Sequence, residues 1–257
     1  MKNIKDQNKV TPPKEAGNKK TKFELQSLSI KMLIALFLLV TCSLTASAQK
    51  SAALNALSKY GIDANILNAD IIQQSEDFAF DFKQTTIAAG KQTVTIAKYD
   101  PSSPKEEQWA VVSVGGKSPS KGEINTFRKN QNKEVKSTQT DESSYKVEKE
   151  SADYLVISYK LDPASVPKDA AFMKDCRSYM TINVKTKKIE QVETINEKPV
   201  RIKILNAEKF NLVIKYTKND QSKRYLPVSQ ELNMLAKFMG QEVTVQTITE
   251  YSNYTKK

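Results

Sequence analysis

The sequence predicts an α+β protein that is mostly antiparallel β-sheet, strongly curved, with a few short helices. About ten segments alternate apolar with polar residues, which is the period of a β-strand. The segments between them are mostly too short for the crossovers of a dozen or more residues that join parallel strands, so antiparallel order is expected. Several strands have one strongly apolar face, and a sheet must cover such a face.

The first 48 residues predict an export signal. Residues 1–31 are polar and basic, residues 32–40 (MLIALFLLV) are apolar, and small residues stand at Ala46 and Ala48. This order is typical of a secretory signal peptide cleaved after Ala48, and it predicts a periplasmic protein. Two alternatives stay open. Cys42 could carry a lipid, although a branched residue precedes it, and the segment could be an uncleaved anchor, although a span needs about 20 apolar residues.

Cleavage would leave residues 49–257, which are predicted to form a single domain. They contain 32 basic and 26 acidic residues. This small positive excess is ordinary for a soluble chain of that length. Because Lys and Arg are scattered rather than gathered beside aromatic residues, nucleic acid is not an expected partner.

The chain after Ala48 opens on a predicted helix over residues 51–62 that ends near Gly61, followed by a helical or irregular segment over residues 63–74. Residues 77–87 (DFAFDFKQTTI) then change to a period of two. Asp81 faces away from the side that the phenylalanines share. The phenylalanines on that side are Phe78, Phe80 and Phe82.

A hairpin turn at Gly90 is predicted to lead into a strand over residues 92–99, and residues 108–114 (QWAVVSV) form the next strand. Ser120 and Glu123 fit a capping box, in which each side chain satisfies a free backbone donor of the other at the start of a helix. Residues 129–144 are charged and polar without periodicity, and they predict a mobile loop.

Eight further segments have the alternation of strands. Their ranges are 145–150, 154–160, 178–184, 187–195, 200–205, 210–216, 224–236 and 242–254. Pro227 interrupts one of them, which predicts an edge strand or a bulge. The apolar residues at and just after the end of that segment suggest a lid that adapts to an apolar ligand; they are Met234, Leu235, Phe238 and Met239.

No enzymatic site is predicted. The chain has no histidine, which excludes Ser–His and Cys–His nucleophile pairs, and Cys176 is its single cysteine after Ala48. We expect Cys176 to be a partly buried residue near the start of a strand, and a reactive or intermolecular thiol is the alternative. Ser-x-x-Lys occurs four times without its companion motifs, and the adjacent carboxylates lie in polar loops. No catalytic residue, metal site or cofactor is therefore expected.

The apolar strand faces are the best candidate for a binding site. The predicted lining residues are Phe78, Phe80, Phe82, Trp109, Met180, Ile182, Phe210, Leu212 and Ile214. The predicted helices are too few to cover a sheet of this size. Either these residues fill a core as the sheet closes on itself, or they leave a groove for an apolar ligand.

Residues 99–129 contain an Asp-Pro turn, a Trp strand, a glycine, and Pro-Ser-x-x-Glu before a helix. This pattern resembles a loosely defined set of exported Gram-negative proteins of unknown role. The strands at 181–193, 210–216 and 250–254 look like those of LolA-type lipoprotein carriers. That resemblance implies an unclosed β-barrel with helices on its concave side, and a lipid or lipoprotein acyl chain as the partner.

The sequence thus predicts an exported, non-enzymatic protein of the cell envelope that binds an apolar or lipid-like ligand. An envelope protein that recognises another protein and has a filled core is the alternative. A hydrolase without histidine is a third hypothesis.

Overall fold

The computed structural model describes residues 49–72, 77–131 and 138–257. All of them lie in one compact unit. The predicted signal peptide falls outside the described residues, as does the middle of the predicted mobile loop, 132–137. The ends of that loop are ordered, because residues 129–131 belong to a helix and residues 142–144 form a 3-10 turn.

Helices make up a small part of the described chain. Residues 49–59 are helical (α1), and α2 covers Lys121–Gln131. Short 3-10 helices lie at Ala64–Leu67, Ala69–Ile71, Glu142–Ser144 and Lys168–Asp175. None of the helices in the described ranges has the length and apolar character that a membrane crossing requires.

In the described part of the chain, eleven strands form one antiparallel sheet. They are β1 (Phe78–Ala88), β2 (Lys91–Tyr99), β3 (Trp109–Val114), β4 (Lys146–Glu150), β5 (Tyr154–Tyr159), β6 (Cys176–Asn183), β7 (Lys188–Asn196), β8 (Val200–Ile202), β9 (Leu205–Asn219), β10 (Arg224–Phe238) and β11 (Gln241–Lys256). Their order is β3-β2-β1-β11-β10-β9-β7-β6-β5-β4, and β8 pairs with β9. The path ends at β3 and β4, so the sheet is open, and the prediction of a mostly antiparallel sheet is confirmed.

Local sequence signals account for several element boundaries. Gly61 has a φ of +60° just after α1, a conformation in which glycine lacks the penalty of a side chain. Ala89 and Gly90 both have positive φ, as a two-residue hairpin turn between β1 and β2 requires. At α2 the Ser120 backbone N–H donates to Glu123 at 2.8 Å, and the Glu123 N–H donates to Ser120 Oγ at 3.3 Å. The predicted capping box is confirmed.

Two expectations for β10 have different outcomes. The pairing of β10 with β9 shifts register between Pro227 and Ser229, so the predicted bulge is present. The predicted lid is wrong, because Met234 lies within β10, where it pairs with Phe210 and is buried. Met239 lies in the turn to β11 and is 89% exposed.

Candidate functional site

The strand register places all nine predicted lining residues on one face of the sheet. Phe82 on β1 lies opposite Tyr251 on β11. Two residues further along β1, at Gln84, a row of directly paired positions crosses the sheet. That row is Gln84, Thr249, Gln230, Ile214, Val192, Met180 and Ile157. Side chains of directly paired residues point to the same side. We call this side the inner face and the opposite side the outer face.

An aromatic cluster occupies one end of the inner face, beneath α2. The Phe82 ring lies 5.4 Å from the ring of Trp109 and 5.5 Å from that of Phe127, both edge to face. Phe80 contacts Trp109 at 5.6 Å in the same manner. Phe80, Phe82 and Trp109 are almost fully buried, so native side chains already surround them. Phe78 is also buried, with Tyr254 at its edge.

A second cluster lies at the other end of the inner face, beneath α1. Ala53 and Leu57 of α1 pack with Met180 and Ile182 of β6, and all four are almost fully buried. A third cluster lies under the 3-10 helix Lys168–Asp175, where the rings of Phe172 and Phe210 are 5.3 Å apart. Seven of the nine predicted lining residues are therefore core residues in this structure.

The other two predicted residues are less buried: Leu212 lies at the margin of the third cluster, and Ile214 lies beside it on β9. Leu212 and Ile214 on β9 are half-buried. Leu232 on β10 pairs with Leu212, and Val245 on β11 lies one row away; both are half-buried too. We call these four residues the apolar strip. Leu212, Leu232 and Val245 pack against the third cluster as its half-buried margin, and Leu232 and Val245 are neighbours that the sequence analysis missed.

Uncharged polar side chains adjoin the apolar strip. They lie in two rows on β2, β1 and β11: Thr95, Gln84 and Thr249 in one, Thr93, Thr86 and Thr247 in the other. We call these six residues the hydroxyl–amide patch. Gln84 Nε2 donates to Thr249 Oγ1 at 3.2 Å. The alternation that begins with Phe78 continues through Gln84 and Thr86, and this continuation is the signal that sequence reasoning could have used.

Two half-buried tyrosines border the same region. Desolvation raises the pKa of the Tyr251 hydroxyl to about 12, and it raises the pKa of Tyr216 as well. Both residues belong to the inner face, next to Phe82 on β1 and Pro227 on β10. They are therefore neutral at any physiological pH.

The ion pairs that β1 forms with its neighbours β2 and β11 lie on the outer face. Lys83 Nζ is 2.7 Å from Glu250, and Lys98 Nζ is 3.2 Å from Asp81. Asn253 also donates to Asp81 at 2.7 Å, and this hydrogen bond is the main reason that the Asp81 pKa is lowered. The prediction that Asp81 faces away from the phenylalanines is confirmed.

A separate cavity of about 710 Å³ lies beside α1 and is lined mainly by polar residues. Its walls include Asn65, Asn68, Asp70 and Asp141, with the ion pair of Lys50 and Glu142 at its rim. The sequence analysis did not predict it. Among the described residues no group of three or more cysteine or acidic side chains is placed to hold a metal ion.

Cys176 begins β6, as predicted, and at 2% exposed it is more deeply buried than expected. Its thiol donates to the backbone oxygen of Phe172 at 3.5 Å. Burial raises the pKa of the Cys176 thiol to about 11, so the reactive thiolate is scarce at neutral pH.

Solved structures that align with the chain share little of its sequence. A DUF1329 family protein from Desulfovibrio piger aligns at 10% identity with a TM-score of 0.34, over 81% of this chain and 93% of that one. A variant of the GphF dehydratase aligns at 8% identity with a TM-score of 0.15, over 79% of this chain and 81% of that one. No family model and no curated protein matches the chain. Neither alignment carries an argument about function at such TM-scores.

Proposed function

We propose that this chain is an exported, non-enzymatic protein of the cell envelope that holds an apolar or lipid-like ligand against the inner face of its sheet. The apolar strip is the observation that supports this proposal. All four residues of the strip are half-buried, and Leu212, Leu232 and Val245 form the margin of the cluster under the 3-10 helix. Burying apolar surface gains about 25 cal/mol per Å², so an acyl chain laid along the strip would be stabilised there.

The proposal includes a curved sheet with its helices on the concave side, as in LolA-type carriers. Support comes from the position of the covering segments. Phe127 of α2, Leu57 of α1 and Phe172 of the 3-10 helix all contact inner-face residues. A ligand between them would have covering segments on three sides.

The direct test uses the full chain, produced in a bacterial host with its own N-terminal segment. Organic extraction of the purified protein should release lipid, and the extracted protein should bind a fluorescent acyl probe. Absence of extractable lipid together with absence of probe binding would overturn the proposal.

A pair of variants on β9 locates the binding site. Leu212→Asn places an amide on the apolar strip, whereas Val213→Asn places the same group on the outer face, where Val213 pairs with Glu193 and Glu231. We expect Leu212→Asn to weaken probe binding about tenfold, since about 1.4 kcal/mol corresponds to that factor. Val213→Asn should leave binding unchanged. Equal effects of both substitutions would place the probe elsewhere.

Export and processing are tested independently of the ligand. Fractionation of the producing cells should find the protein in the periplasm, and its first residue should be Gln49. A mass that includes acyl groups on Cys42 would instead support the lipoprotein alternative, and an intact N-terminus in the membrane fraction would support an anchor.

The filled-core alternative also has support in the structure. Phe78, Phe80, Phe82, Met180 and Ile182 are each at most 2% exposed. A protein that recognises only a protein partner would give no extractable lipid, and Leu212→Asn would not alter its capture of that partner. The same pair of β9 variants therefore separates the two functions.

A further inference from the structure

Two neighbouring hairpin turns, β8–β9 and β10–β11, form one exposed end of the sheet. We call this end the rim, and it consists of residues 202–205 and 238–241. We infer that the rim docks on the surface of a lipid bilayer that contains anionic lipids. The inference concerns a surface outside the apolar strip and does not depend on the proposed function. Exposed apolar side chains at the rim and cations around it carry the inference.

The strand register places the two turns side by side. Lys237 pairs with Asn206 between β10 and β9, so Phe238 follows at the level of Leu205. Phe238 precedes the turn into β11, and Leu205 follows the turn out of β8. Because neighbouring strands lie about 5 Å apart, the two turns end the sheet as one continuous surface.

Large apolar side chains are exposed at both turns. Met239 is 89% exposed, Ile204 is 69% exposed and Phe238 is 38% exposed. Other hairpin turns of the sheet differ. The turn between β1 and β2 consists of alanine and glycine, and the turn between β9 and β10 is the polar segment 220–223 (DQSK). Exposed apolar turn residues are therefore not a general feature of this sheet.

The backbone conformation of the β10–β11 turn gives no reason for a methionine. Met239 has a φ of +49°. Hairpin turns with positive φ favour glycine or asparagine, and this conformation is unfavourable for a long side chain. Because Met239 is also almost fully exposed, it gains no packing within the protein. An apolar environment outside the chain would supply that packing.

Basic residues outnumber acidic residues around the rim. The segments 198–209 and 237–242 contain two acidic residues and five basic ones, which are Lys198, Arg201, Lys203, Lys209 and Lys237. Both acids adjoin Lys237, since Glu208 lies 2.5 Å from it and Glu242 pairs with it on β11. Lys198 pairs with Asp175, in the 3-10 helix beside β8 that has two lysines and two aspartates. Within the described residues, Arg201, Lys203 and Lys209 form no ion pair.

A bilayer fits these features better than a protein partner does. A stable protein interface buries about 800 Å² on each side, whereas the apolar surface of the rim comes from three side chains at projecting turns. A bilayer takes up isolated apolar side chains at its surface. Its anionic head groups attract the cations that lie beside those side chains.

A tryptophan at the rim would report insertion directly. Met239→Trp adds an indole there, and Gln221→Trp, in the exposed turn at the opposite end of β9 and β10, is the matched control. The full chain is mixed with vesicles of phosphatidylcholine and phosphatidylglycerol in equal parts, in which brominated acyl chains quench indole fluorescence. We expect strong quenching in Met239→Trp, and in Gln221→Trp no more than Trp109 shows in the wild type. Equal quenching in both variants, or added quenching in neither, would overturn the inference.

Removal of the apolar side chains should weaken sedimentation with the same vesicles. Met239→Ser combined with Ile204→Ser should reduce binding about tenfold, since both substitutions remove apolar surface that the bilayer would bury. Val112→Ser is the control, because Val112 is 50% exposed on β3, away from the rim. Unchanged binding in the double variant, or an equal loss in Val112→Ser, would contradict the inference. A wild-type dimer that the double variant loses, without vesicle binding, would assign the rim to a second copy of the chain instead.

Removal of the cations should weaken binding only where the lipid is anionic. Lys203→Gln combined with Lys209→Gln should reduce binding to the mixed vesicles about tenfold and leave binding to pure phosphatidylcholine unchanged. Lys188→Gln combined with Lys223→Gln removes the same charge from exposed positions at the opposite end of the sheet. This control pair should bind as the wild type does. Equal losses in the two pairs would show that net charge, and not the rim, governs binding, and would overturn the inference.

Discussion

Arg128 on α2 donates a hydrogen bond from Nε to the backbone oxygen of Trp109 at 2.9 Å. Trp109 is the first residue of β3, which is an edge strand of the sheet. The contact gives a partner to a carbonyl at the sheet edge and holds α2 over the aromatic cluster, where Phe127 meets Trp109 at 5.4 Å. The Arg128 guanidinium thus joins α2 to β3, the strand that carries the Trp109 side chain beneath α2.

Replacement of Arg128 by alanine should loosen α2. A hydrogen bond that involves a charged group contributes about 1.5–3 kcal/mol, and we expect a loss near the lower figure because Arg128 is only half-buried. Urea denaturation measures the change in unfolding free energy. Lys129→Ala, at the exposed neighbour on the same helix, should change it by less than about 0.5 kcal/mol. Equal losses of unfolding free energy in the two variants would show that the hydrogen bond from Arg128 to Trp109 does not stabilise the fold.

Truncation of Phe82 should be among the most destabilising changes in the sheet. Phe82 is 2% exposed and contacts Trp109, Phe127 and Tyr251 edge to face. Phe82→Ala is expected to cost about 3–5 kcal/mol in unfolding free energy, since it removes a large buried side chain and leaves a cavity.

Ile96→Ala is the control for that substitution. Ile96 lies on β2, where it pairs with Lys83 on the outer face, and it is 40% exposed. Its truncation should cost less than about 1 kcal/mol. A comparable loss from both variants would mean that the aromatic cluster is not the core of this end of the sheet.

Glu197 should make stability depend on pH in the acid range. Lys160 donates to one carboxylate oxygen at 2.6 Å and Arg177 to the other at 2.9 Å, and these bonds lower the pKa of Glu197 below its ordinary value of 4.5. A carboxyl with a lowered folded-state pKa stabilises the fold above its unfolded pKa. That contribution is lost as pH falls through the folded pKa.

The measurement compares urea midpoints of the wild type and Glu197→Gln from neutral pH down to about pH 3, below the ordinary carboxyl range. The wild type should be the more stable above 4.5, and the difference should shrink as pH decreases. The difference should be below about 1 kcal/mol, because Glu197 is 40% exposed. Glu107→Gln, at an exposed carboxyl before β3, controls for loss of one negative charge. A difference that grows at low pH would contradict the expectation.

Cys176 should resist alkylation in the folded protein. Its pKa of about 11 and its burial both limit the thiolate that an alkylating reagent attacks. Treatment with iodoacetamide at neutral pH, followed by mass spectrometry of the peptide that contains Cys176, should find it unmodified. Modification should become complete in denaturant. Rapid labelling without denaturant would show that the start of β6 opens readily.

Strand identity could be predicted from the sequence because the alternation is strong. The inner face of β1 could be assigned from its three phenylalanines, Phe78, Phe80 and Phe82. Its outer face could be assigned from Asp81, as the contacts of Asp81 with Lys98 and Asn253 confirm. The capping box at Ser120 and the bulge at Pro227 were also correct, because each depends on a few neighbouring residues.

The sequence could not predict in the same way which part of the inner face is left only half-buried. A strand period shows which residues share a face, but not which of them a helix covers. Met180 and Phe210 resemble Leu212 and Ile214 in their sequence pattern, yet the first two are buried in core clusters and the last two are only half-buried. The placement of α1 over β6 depends on contacts between residues more than a hundred positions apart. Thr247 and Thr249, taken alone, give no strong indication in the sequence of their place on the inner face.

The pairing of β1 with β11 has a consequence for how the chain is made. Phe78 lies opposite Lys256, and these two strands sit within the sheet rather than at its rim. β1 therefore gains its partner on that side only after β11, which is distant in the sequence, has been synthesised. Such distant pairing slows folding. If the chain is exported as we propose, this delay would favour its translocation as an unfolded polypeptide.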